Sequence, residues 1–261
     1  MPIHQHVKAW SKEIDALGFF NWFDLKRRYR RSHALAQSEL QPFKSRYAAE
    51  PLYFRPRSSD FSVLYQIFVE REYRCLDDVQ GVELVIDCGA NVGYSSAYFL
   101  SRYPDCHVIA VEPDPGNFEM LQRNLAPFGN RVTLLNTGIW SSRTGLVISS
   151  ESFGDNREWA VTVREAKGGE KATMQAVDIG TLLRESGKDK ISILKIDIEG
   201  SESEVFSKSV EAWLGLTDTL VIELHGDDCT RIFHQAVSDG FDISRCDELT
   251  VCKRQRDAQH A

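Results

Sequence analysis

From residue 82 onward, the chain alternates between short apolar runs and longer stretches with helical periodicity. The apolar runs are typical of buried strands and cover residues 82–88, 107–111, 132–135, 191–196 and 220–224. Residues 241–244 and 249–253 predict a closing hairpin. Strands that alternate with helices predict an α/β fold, in which a parallel sheet carries helices on both faces. Ligands of such sheets bind beyond the carboxyl ends of the strands.

Several of the intervening helices have recognisable ends. A helix is predicted over residues 91–102 and another over 228–238. Asp114 followed by Pro115 predicts the N-cap and the first residue of a further helix, and Asp178 is predicted to cap one more. These segments supply the helical layers of the predicted sheet.

Residues 1–80 have a different pattern and predict a helical N-terminal cap. The clearest helix there spans residues 59–73, and its apolar stripe consists of Phe61, Leu64, Tyr65, Phe68 and Val69. Such a stripe needs a partner surface, so the cap is expected to pack over the ligand cleft. It is also a candidate homodimer contact. The sheet domain is predicted over residues 81–254, and residues 255–261 form a short tail.

Composition and charge exclude several classes of protein. Of the 261 residues, 42% are apolar and 26% are charged, which is ordinary for a globular protein. The net charge of −7 argues against a nucleic-acid binder. A basic run contains Lys26, Arg27, Arg28, Arg30 and Arg31. A solvated helix face is the favoured interpretation, because no apolar partner face is evident. An anchor for an anionic partner or a lipid headgroup is the alternative.

The cysteines and the N-terminus favour a cytoplasmic protein. Six cysteines are present and none forms a C-x-x-C pair. The first residues contain no apolar signal core, and no run of apolar residues is long enough to predict a transmembrane segment. Free thiols in a reducing compartment are therefore expected.

The segment DCGANVGYS at residues 87–95 follows the first strand and carries the first candidate chemistry. Gly89 and Gly93 allow a ligand close to the backbone, and the helix that follows offers N–H groups to an anion. The spacing is not the three-glycine dinucleotide fingerprint, which disfavours a nicotinamide-dependent oxidoreductase. Glu112 follows the second strand, where an acidic residue holds a ribose diol in nucleoside-binding sheets. The two loops together predict an adenosine-bearing ligand with an amino-acid tail.

Charged residues at two later strand ends predict the reactive part of the cleft. Asp197 ends one strand, and Glu223 and His225 end the next, so the three are expected to converge. In the favoured interpretation His225 is a general base and no metal takes part. In the alternative, Asp197, Glu223 and His225 bind a divalent metal, although magnesium prefers oxygen ligands. Ser201 and Glu204 form a capping-box pattern, and Trp159 is either a core residue or an aromatic platform for a substrate.

These segments resemble the FkbM-type family of S-adenosylmethionine-dependent methyltransferases. The resemblance rests on the D-x-G-A-N-x-G loop, on Glu112-Pro113 and on the segment LKIDIEGSE at residues 194–202. It covers about residues 57–245, which include Ser58-Ser59-Asp60 and Glu72-Tyr73. It implies a seven-stranded Rossmann-like methyltransferase sheet. The implied reaction is usually O-methylation of a hydroxyl on a sugar or a secondary metabolite. A catalytically inactive protein that binds S-adenosylmethionine or acts as a scaffold is the alternative.

The resemblance also implies positions for the cofactor contacts. Asp87, Gly89, Asn91 and Gly93 would lie at the methionine part, and Ser95 would meet its carboxylate. Glu112 would bind the ribose. Further implied contacts are Ala90, Pro113, Asn136 and Gly138, the last two near the adenine.

Overall fold

A computed structural model describes four parts of the chain, residues 11–32, 34–148, 163–198 and 200–255. The N-terminal cap contains the helices α1 (residues 11–17), α2 (Phe19–Ser32) and α3 (Asp60–Tyr65). Between α2 and α3 lies an antiparallel hairpin of β1 (Gln41–Phe43) and β2 (Leu52–Phe54). The sequence pattern predicts a helical cap, but the cap also contains this hairpin and is therefore not purely helical.

A mixed sheet of seven strands forms the centre of the molecule. Its strands are β3 (Leu84–Cys88), β4 (His107–Val111), β5 (Val132–Leu135), β9 (Ile191–Ile196), β10 (Thr217–Ile222), β11 (Phe241–Cys246) and β12 (Leu249–Arg254). The strand order is β11-β12-β10-β9-β3-β4-β5. β12 runs antiparallel to both of its neighbours, and the remaining pairs are parallel. The seven-stranded Rossmann-like sheet and the closing hairpin are thus confirmed.

The other elements flank this sheet. The helices are α4 (Tyr94–Arg102), α5 (Pro115–Leu125), α6 (Ile179–Ser186), α7 (Glu202–Val205) and α8 (Asp227–Val237). A small antiparallel sheet contains β6 (Gly145–Ile148), β7 (Val163–Glu165) and β8 (Met174–Gln175). The predicted caps are confirmed, because Asp114 accepts a hydrogen bond from Asn117 N and Asp178 accepts one from Thr181 N, both at 2.8 Å. Among the described residues, no helix has both the length and the apolar character needed to cross a bilayer.

The two faces of the sheet have different partners, because successive side chains of a strand point to opposite sides. Val85 and Ile193 belong to a buried cluster that includes residues of the cap, α4 and α5. Ile86 and Leu194 belong to a second cluster with residues of α6 and α8. The cap and one face of the sheet therefore share a continuous hydrophobic core.

Two predicted helices have different bounds in the structure. The helix predicted over residues 59–73 breaks at Arg71, which has a φ of 58° in the left-handed region. After α3 the chain makes a π-helical turn at Gln66–Glu70 and a 3-10 turn at Glu72–Leu76. The helix predicted from Asn91 begins only at Tyr94, because Asn91 itself has a φ of 50°. The break at Arg71 places the following residues against the sheet.

Candidate active site

The loop between β3 and α4 needs glycine at two positions, for different reasons. Gly89 has a φ of +79°, and an ideal Cβ there would lie 1.8 Å from the backbone oxygen of Asp197. Gly89 therefore lets the end of β9 approach the loop. Gly93 has a φ of +90°, and a Cβ there would lie 3.2 Å from Leu125 Cγ. Gly93 thus permits close packing of α5 and does not line the cavity described next.

A cavity of about 290 Å³ lies at the carboxyl ends of the parallel strands. Predicted site residues that line it are Gly89, Ala90, Asn91, Ser95, Glu112, Pro113, Gly138, Asp197 and Glu223. The cap contributes Ser62, Val63, Gln66, Ile67, Glu72 and Tyr73. Predicted site residues that do not line it are Asp87, Gly93, Asn136 and His225. The cavity occupies the place at which parallel sheets bind ligands, with the cap over it.

Glu112 follows β4 and is oriented by two backbone N–H groups. Its Oε2 accepts a hydrogen bond from Asn91 N, and its Oε1 accepts one from Asp114 N, both at 2.9 Å. Burial raises the pKa of Glu112 to about 7, although the two backbone donors oppose the shift. Each carboxylate oxygen has more than one lone pair. Glu112 can therefore accept further hydrogen bonds from hydroxyl groups of a ligand in the cavity.

The structure corrects the predicted direct contact between Asp87 and the cofactor. Asp87 is fully buried, and its Oδ2 accepts hydrogen bonds from the hydroxyls of Ser95 and Ser96, both at 2.6 Å. Its Oδ1 lies 3.3 Å from Nζ of Lys195. The strand-end position of Asp87 was predicted correctly, but its side chain is buried below the loop and binds the start of α4 through Ser95 and Ser96. The Ser95 hydroxyl is likewise engaged by Asp87, whereas Ser95 itself lines the cavity, so its predicted contact with a ligand carboxylate stays a prediction for its backbone N–H.

Lys195 is the cation at the centre of this buried network. Its Nζ donates a hydrogen bond to Gly89 O at 2.6 Å and lies 3.6 Å from Asp197 Oδ2. Burial by itself would lower the pKa of Lys195, but Asp87 and Asp197 outweigh burial and raise it. The ammonium group thus links the glycine loop to the end of β9.

Asn136 supports the loop that carries Glu112 and does not itself line the cavity. Its amide donates hydrogen bonds to Glu112 O at 2.8 Å and to Pro113 O at 3.2 Å, and the residue is exposed. Asn136 therefore supports the neighbouring loop through its amide, and its predicted position near the adenine stays a prediction. Gly138, two residues later, does line the cavity.

The predicted convergence of Asp197, Glu223 and His225 is confirmed. One potential ligand atom from each residue lies within 4.8 Å of the others. His225 Nε2 lies 3.6 Å from Glu223 Oε1. His225 thus stands beside the cavity, in contact with a carboxylate that lines it.

Glu202, the last residue of the segment LKIDIEGSE, is a partner of His225, and the sequence analysis did not predict this pairing. The Glu202 carboxylate is fully buried, and its Oε1 lies 2.7 Å from Nδ1 of His225. The pattern at Ser201 and Glu204 had suggested a capping box, but Ser201 makes no capping hydrogen bond through its side chain. Since an ionised carboxylate can only accept, we assign the Nδ1 proton to the bond with Glu202. Nε2 then carries the lone pair on the side of Glu223.

The two carboxyls of the cleft have opposite shifts in pKa. Burial raises the pKa of Asp197, although Lys195 opposes the shift. When its ring is protonated, His225 donates a hydrogen bond to Glu223, and this interaction lowers the pKa of Glu223 despite its burial. Titratable groups whose environments separate their pKa values are typical of acid–base sites.

Glu72 is a second residue to which the sequence analysis gave no role in the cleft. It lies in the 3-10 turn of the cap, is 9% exposed and lines the cavity. Its Oε1 accepts a hydrogen bond from Gln66 Nε2 at 2.6 Å. Burial and the nearby Asp197 raise the pKa of Glu72 to about 7. The cap therefore adds a carboxyl group to the acidic end of the cavity.

Two residues of the sequence-based predictions lie outside the described residues. These are Glu199, which belongs to the segment LKIDIEGSE that carries the resemblance, and Trp159, the candidate aromatic platform. The described parts of the site involve neither residue.

Comparison with known proteins shows that this chain is similar to methyltransferases. A family model described as methyltransferase FkbM domain matches residues 87–245. Methyltransferase sdnD of Sordaria araneosa is 30% identical over 192 residues, which cover 62% of this chain and 74% of that protein. Hexuronic acid methyltransferase AglP of Haloferax volcanii is 24% identical over 189 residues, covering 70% of this chain and 75% of that protein. The crystal structure of methyltransferase FkbM from Methylobacillus flagellatus is matched with a TM-score of 0.45 and 19% identity, over 66% of this chain and 43% of that one.

Proposed function

The chain belongs to the methyltransferase FkbM family, and from this premise we propose that it methylates a hydroxyl group of a sugar or a secondary metabolite with S-adenosylmethionine. One observation carries the proposal: a single cavity extends from the glycine loop and Glu112 to Asp197 and Glu223. When bound, S-adenosylmethionine supplies an electrophilic methyl group, and the C–S bond leaves its electron pair on sulfur as the new C–O bond forms.

The hydrogen-bonding groups at one end of the cavity fit this cofactor. Glu112 is a buried acceptor held rigidly by two backbone donors, and it suits a ribose diol. The N–H groups at the start of α4 suit a carboxylate, since a helix N-terminus attracts negative charge. Gly138 with its neighbours Thr137 and Ile139 lines the side at which the resemblance places the adenine. We therefore propose these groups, together with Gly89, Ala90, Asn91 and Pro113, as the cofactor contacts.

Calorimetry tests the cofactor assignment directly. The protein should bind S-adenosylmethionine and S-adenosylhomocysteine, and NAD far more weakly, because the loop lacks the third glycine of the dinucleotide fingerprint. Glu112→Ala should weaken the binding of S-adenosylhomocysteine by about 1–3 kcal/mol, the range for hydrogen bonds to a charged group.

The matched control is Glu119→Ala, on the exposed side of α5, which should leave the affinity unchanged. Binding of NAD without binding of S-adenosylmethionine would overturn the proposal. An unchanged affinity in Glu112→Ala would remove the ribose role alone. Binding without formation of S-adenosylhomocysteine, on a panel of sugars and metabolites, would favour an inactive or scaffold protein.

At the other end of the cavity, we propose that the chain removes the acceptor proton. Asp197 and Glu223 line the cavity and can accept hydrogen bonds from the acceptor, which orients its reacting hydroxyl. The hydroxyl proton then passes to Nε2 of His225. Glu202 holds the ring through Nδ1 and stabilises the imidazolium that forms. The metal-free route is favoured because the donor set pairs two carboxylates with an imidazole, and magnesium prefers oxygen ligands.

Glu72→Gln is expected to raise the KM for the acceptor by about tenfold and to change kcat less, because the carboxylate is a stronger hydrogen-bond acceptor than the amide. The substitution keeps an oxygen for Gln66, so the turn is preserved. Steady-state kinetics with varied acceptor checks the result. Glu70→Gln, on the exposed side of the preceding turn, is the matched control.

The same variant should change how stability depends on pH. The folded-state pKa of Glu72, about 7, lies above its ordinary value of 4.5. Between these values the unfolded chain ionises first, so this group makes stability fall as pH rises. Glu72→Gln removes that contribution and should gain stability relative to the wild type over this range in urea titrations. If Glu72→Gln and the wild type have the same KM for the acceptor and the same dependence of unfolding free energy on pH, the role of Glu72 in the cleft is contradicted.

We further propose that the enzyme works in a reducing compartment such as the cytoplasm. All six cysteines are free thiols, and five of them are buried. Burial raises the pKa of Cys252 to about 11, which keeps this thiol protonated and unreactive at neutral pH.

A further inference from the structure

Helix α2 carries an unusual exposed surface at its N-terminal end. The side chains of Phe19, Phe20 and Phe23 are 58%, 86% and 64% exposed. Three large aromatic side chains exposed within two turns of one helix are costly in water, because apolar area there is left unburied. A surface of this kind indicates a binding partner.

The opposite side of α2 is fixed to the protein. Leu25 is 7% exposed, and Trp22 packs against the same core cluster. The ring of Tyr29 stacks on Phe61 of α3, with the ring centroids 4.0 Å apart. The exposed phenylalanines therefore belong to a helix that the core already holds in place, and they project from a rigid support.

Cations continue the exposed surface toward the C-terminal end of α2. The helix contains five Lys and Arg side chains and a single Asp. Ion pairs join Arg27 and Arg28 to Asp24, while Arg30 and Arg31 are exposed. Helical spacing places Phe19, Phe23, Arg27 and Arg30 along one line, at steps of three or four residues. We define Phe19, Phe20, Phe23, Arg27, Arg30 and Arg31 as the aromatic–basic face.

We propose that the aromatic–basic face of α2 docks this protein on the surface of an anionic lipid bilayer. Phenylalanine rings enter the boundary between headgroups and acyl chains, and guanidinium groups meet lipid phosphates. The protein as a whole carries a charge of −7, so an anionic membrane attracts it only through a local cationic region. The face thus sets the orientation in which the protein meets the membrane.

Charge favours a lipid surface over a second copy of the chain. In a two-fold symmetric contact the same surface patch of two copies packs together. The interface would then contain Arg27, Arg30 and Arg31 of both copies, and an excess of like charge in an interface is unfavourable. An anionic bilayer complements both the aromatic and the cationic half of the face. The proposal does not depend on methyl transfer.

Co-sedimentation of the full chain with lipid vesicles tests the docking. Vesicles of phosphatidylcholine and phosphatidylglycerol in equal parts should bind the protein at least about tenfold more strongly than phosphatidylcholine alone. Added salt should weaken the binding. The double variants Phe20→Ser/Phe23→Ser and Arg30→Glu/Arg31→Glu should each reduce the partition coefficient by about tenfold or more.

Matched controls alter similar side chains elsewhere on the surface. Leu216→Ser/Ile243→Ser replaces apolar residues that are 47% and 43% exposed, and Lys171→Glu/Lys208→Glu makes the same change in charge. Both should bind vesicles like the wild type, and circular dichroism should show that all variants are folded. Equal binding to neutral and anionic vesicles, or full binding by the α2 variants, would overturn the proposal. Dimerisation that depends on Phe20 and Phe23, without vesicle binding, would assign the face to a second copy instead.

Discussion

His225→Ala is expected to lower kcat by about 10²–10⁴-fold while leaving the affinity for S-adenosylmethionine nearly unchanged, which is the scale of general base catalysis. The structure gives the reason: Glu202 fixes Nδ1 at 2.7 Å, and Nε2 lies 3.6 Å from Glu223 at the edge of the cavity. The cofactor contacts that we propose lie on other loops. Single-turnover kinetics, with any acceptor that the wild type methylates, measures the loss.

Two further variants separate the chemical role of His225 from a structural one. Glu202→Gln should lower kcat less than His225→Ala and shift its pH profile, because an amide no longer stabilises the imidazolium. His234→Ala, on the exposed side of α8, should retain full activity. If His225→Ala turns over at the wild-type rate, His225 is not the base.

A chelator distinguishes the base from the metal alternative. With His225 as a metal-free base, a chelator should have little effect on kcat. With a metal held by Asp197, Glu223 and His225, a chelator should abolish activity, and magnesium or manganese should restore it. Asp197→Asn should then behave like the chelated enzyme. Restoration by metal would overturn the metal-free route and keep the methyltransferase proposal intact.

Lys195→Met is expected to lower the free energy of unfolding by about 3–5 kcal/mol, the cost of leaving a buried charge without its partner. Lys195 is 2% exposed, and its ammonium group neutralises Asp87, which is completely buried. It also donates to Gly89 O, so the glycine loop loses an anchor. Urea denaturation followed by circular dichroism measures the loss.

The matched control is Lys190→Met, which breaks an ion pair with Asp218 between side chains that are 56% and 39% exposed. An exposed pair contributes about 0–1 kcal/mol, so this variant should unfold almost like the wild type. Adding Asp87→Asn to Lys195→Met should recover part of the loss, because the uncompensated charge is then gone. A loss no larger than that of the control would contradict the structural role of Lys195.

The strand-end residues show what the sequence could predict. The bounds of β4, β5 and β9 agree with the apolar runs. β4 and β9 are almost entirely buried and therefore need apolar side chains on both faces, whereas β5, at the edge of the sheet, is partly exposed. The convergence of Asp197 with Glu223 follows from the same pattern, since neighbouring parallel strands end at one edge of the sheet. The rule gives the position of a residue and says less about the direction of its side chain. Asp87 illustrates the difference, because it ends its strand yet points into the core.

Glu72 and Glu202 were missed for a different reason. Glu72 reaches the cavity only because Arg71 adopts a left-handed conformation, which is uncommon outside glycine and asparagine. Glu202 lies in a segment whose residue types equally fit a helix cap, and its pairing with His225 joins the start of α7 to the residues after β10. Local patterns carry no information about such a contact. A fully buried carboxylate next to a histidine becomes recognisable only once the fold is known.

The hydrophobic core shared by the cap and the sheet makes the molecule a single cooperative unit. Leu64 and Phe68 of the cap are fully buried in the cluster that contains Val85 and Ile193 of the sheet. Separating the two parts would expose both sets of side chains to water, which is unfavourable in proportion to the area exposed. We therefore expect backbone amides in the buried turn around Phe68 to exchange with solvent about as slowly as those of the central strands. On that expectation, ligands enter and leave through local movement at the mouth of the cavity, and the cap as a whole stays in place.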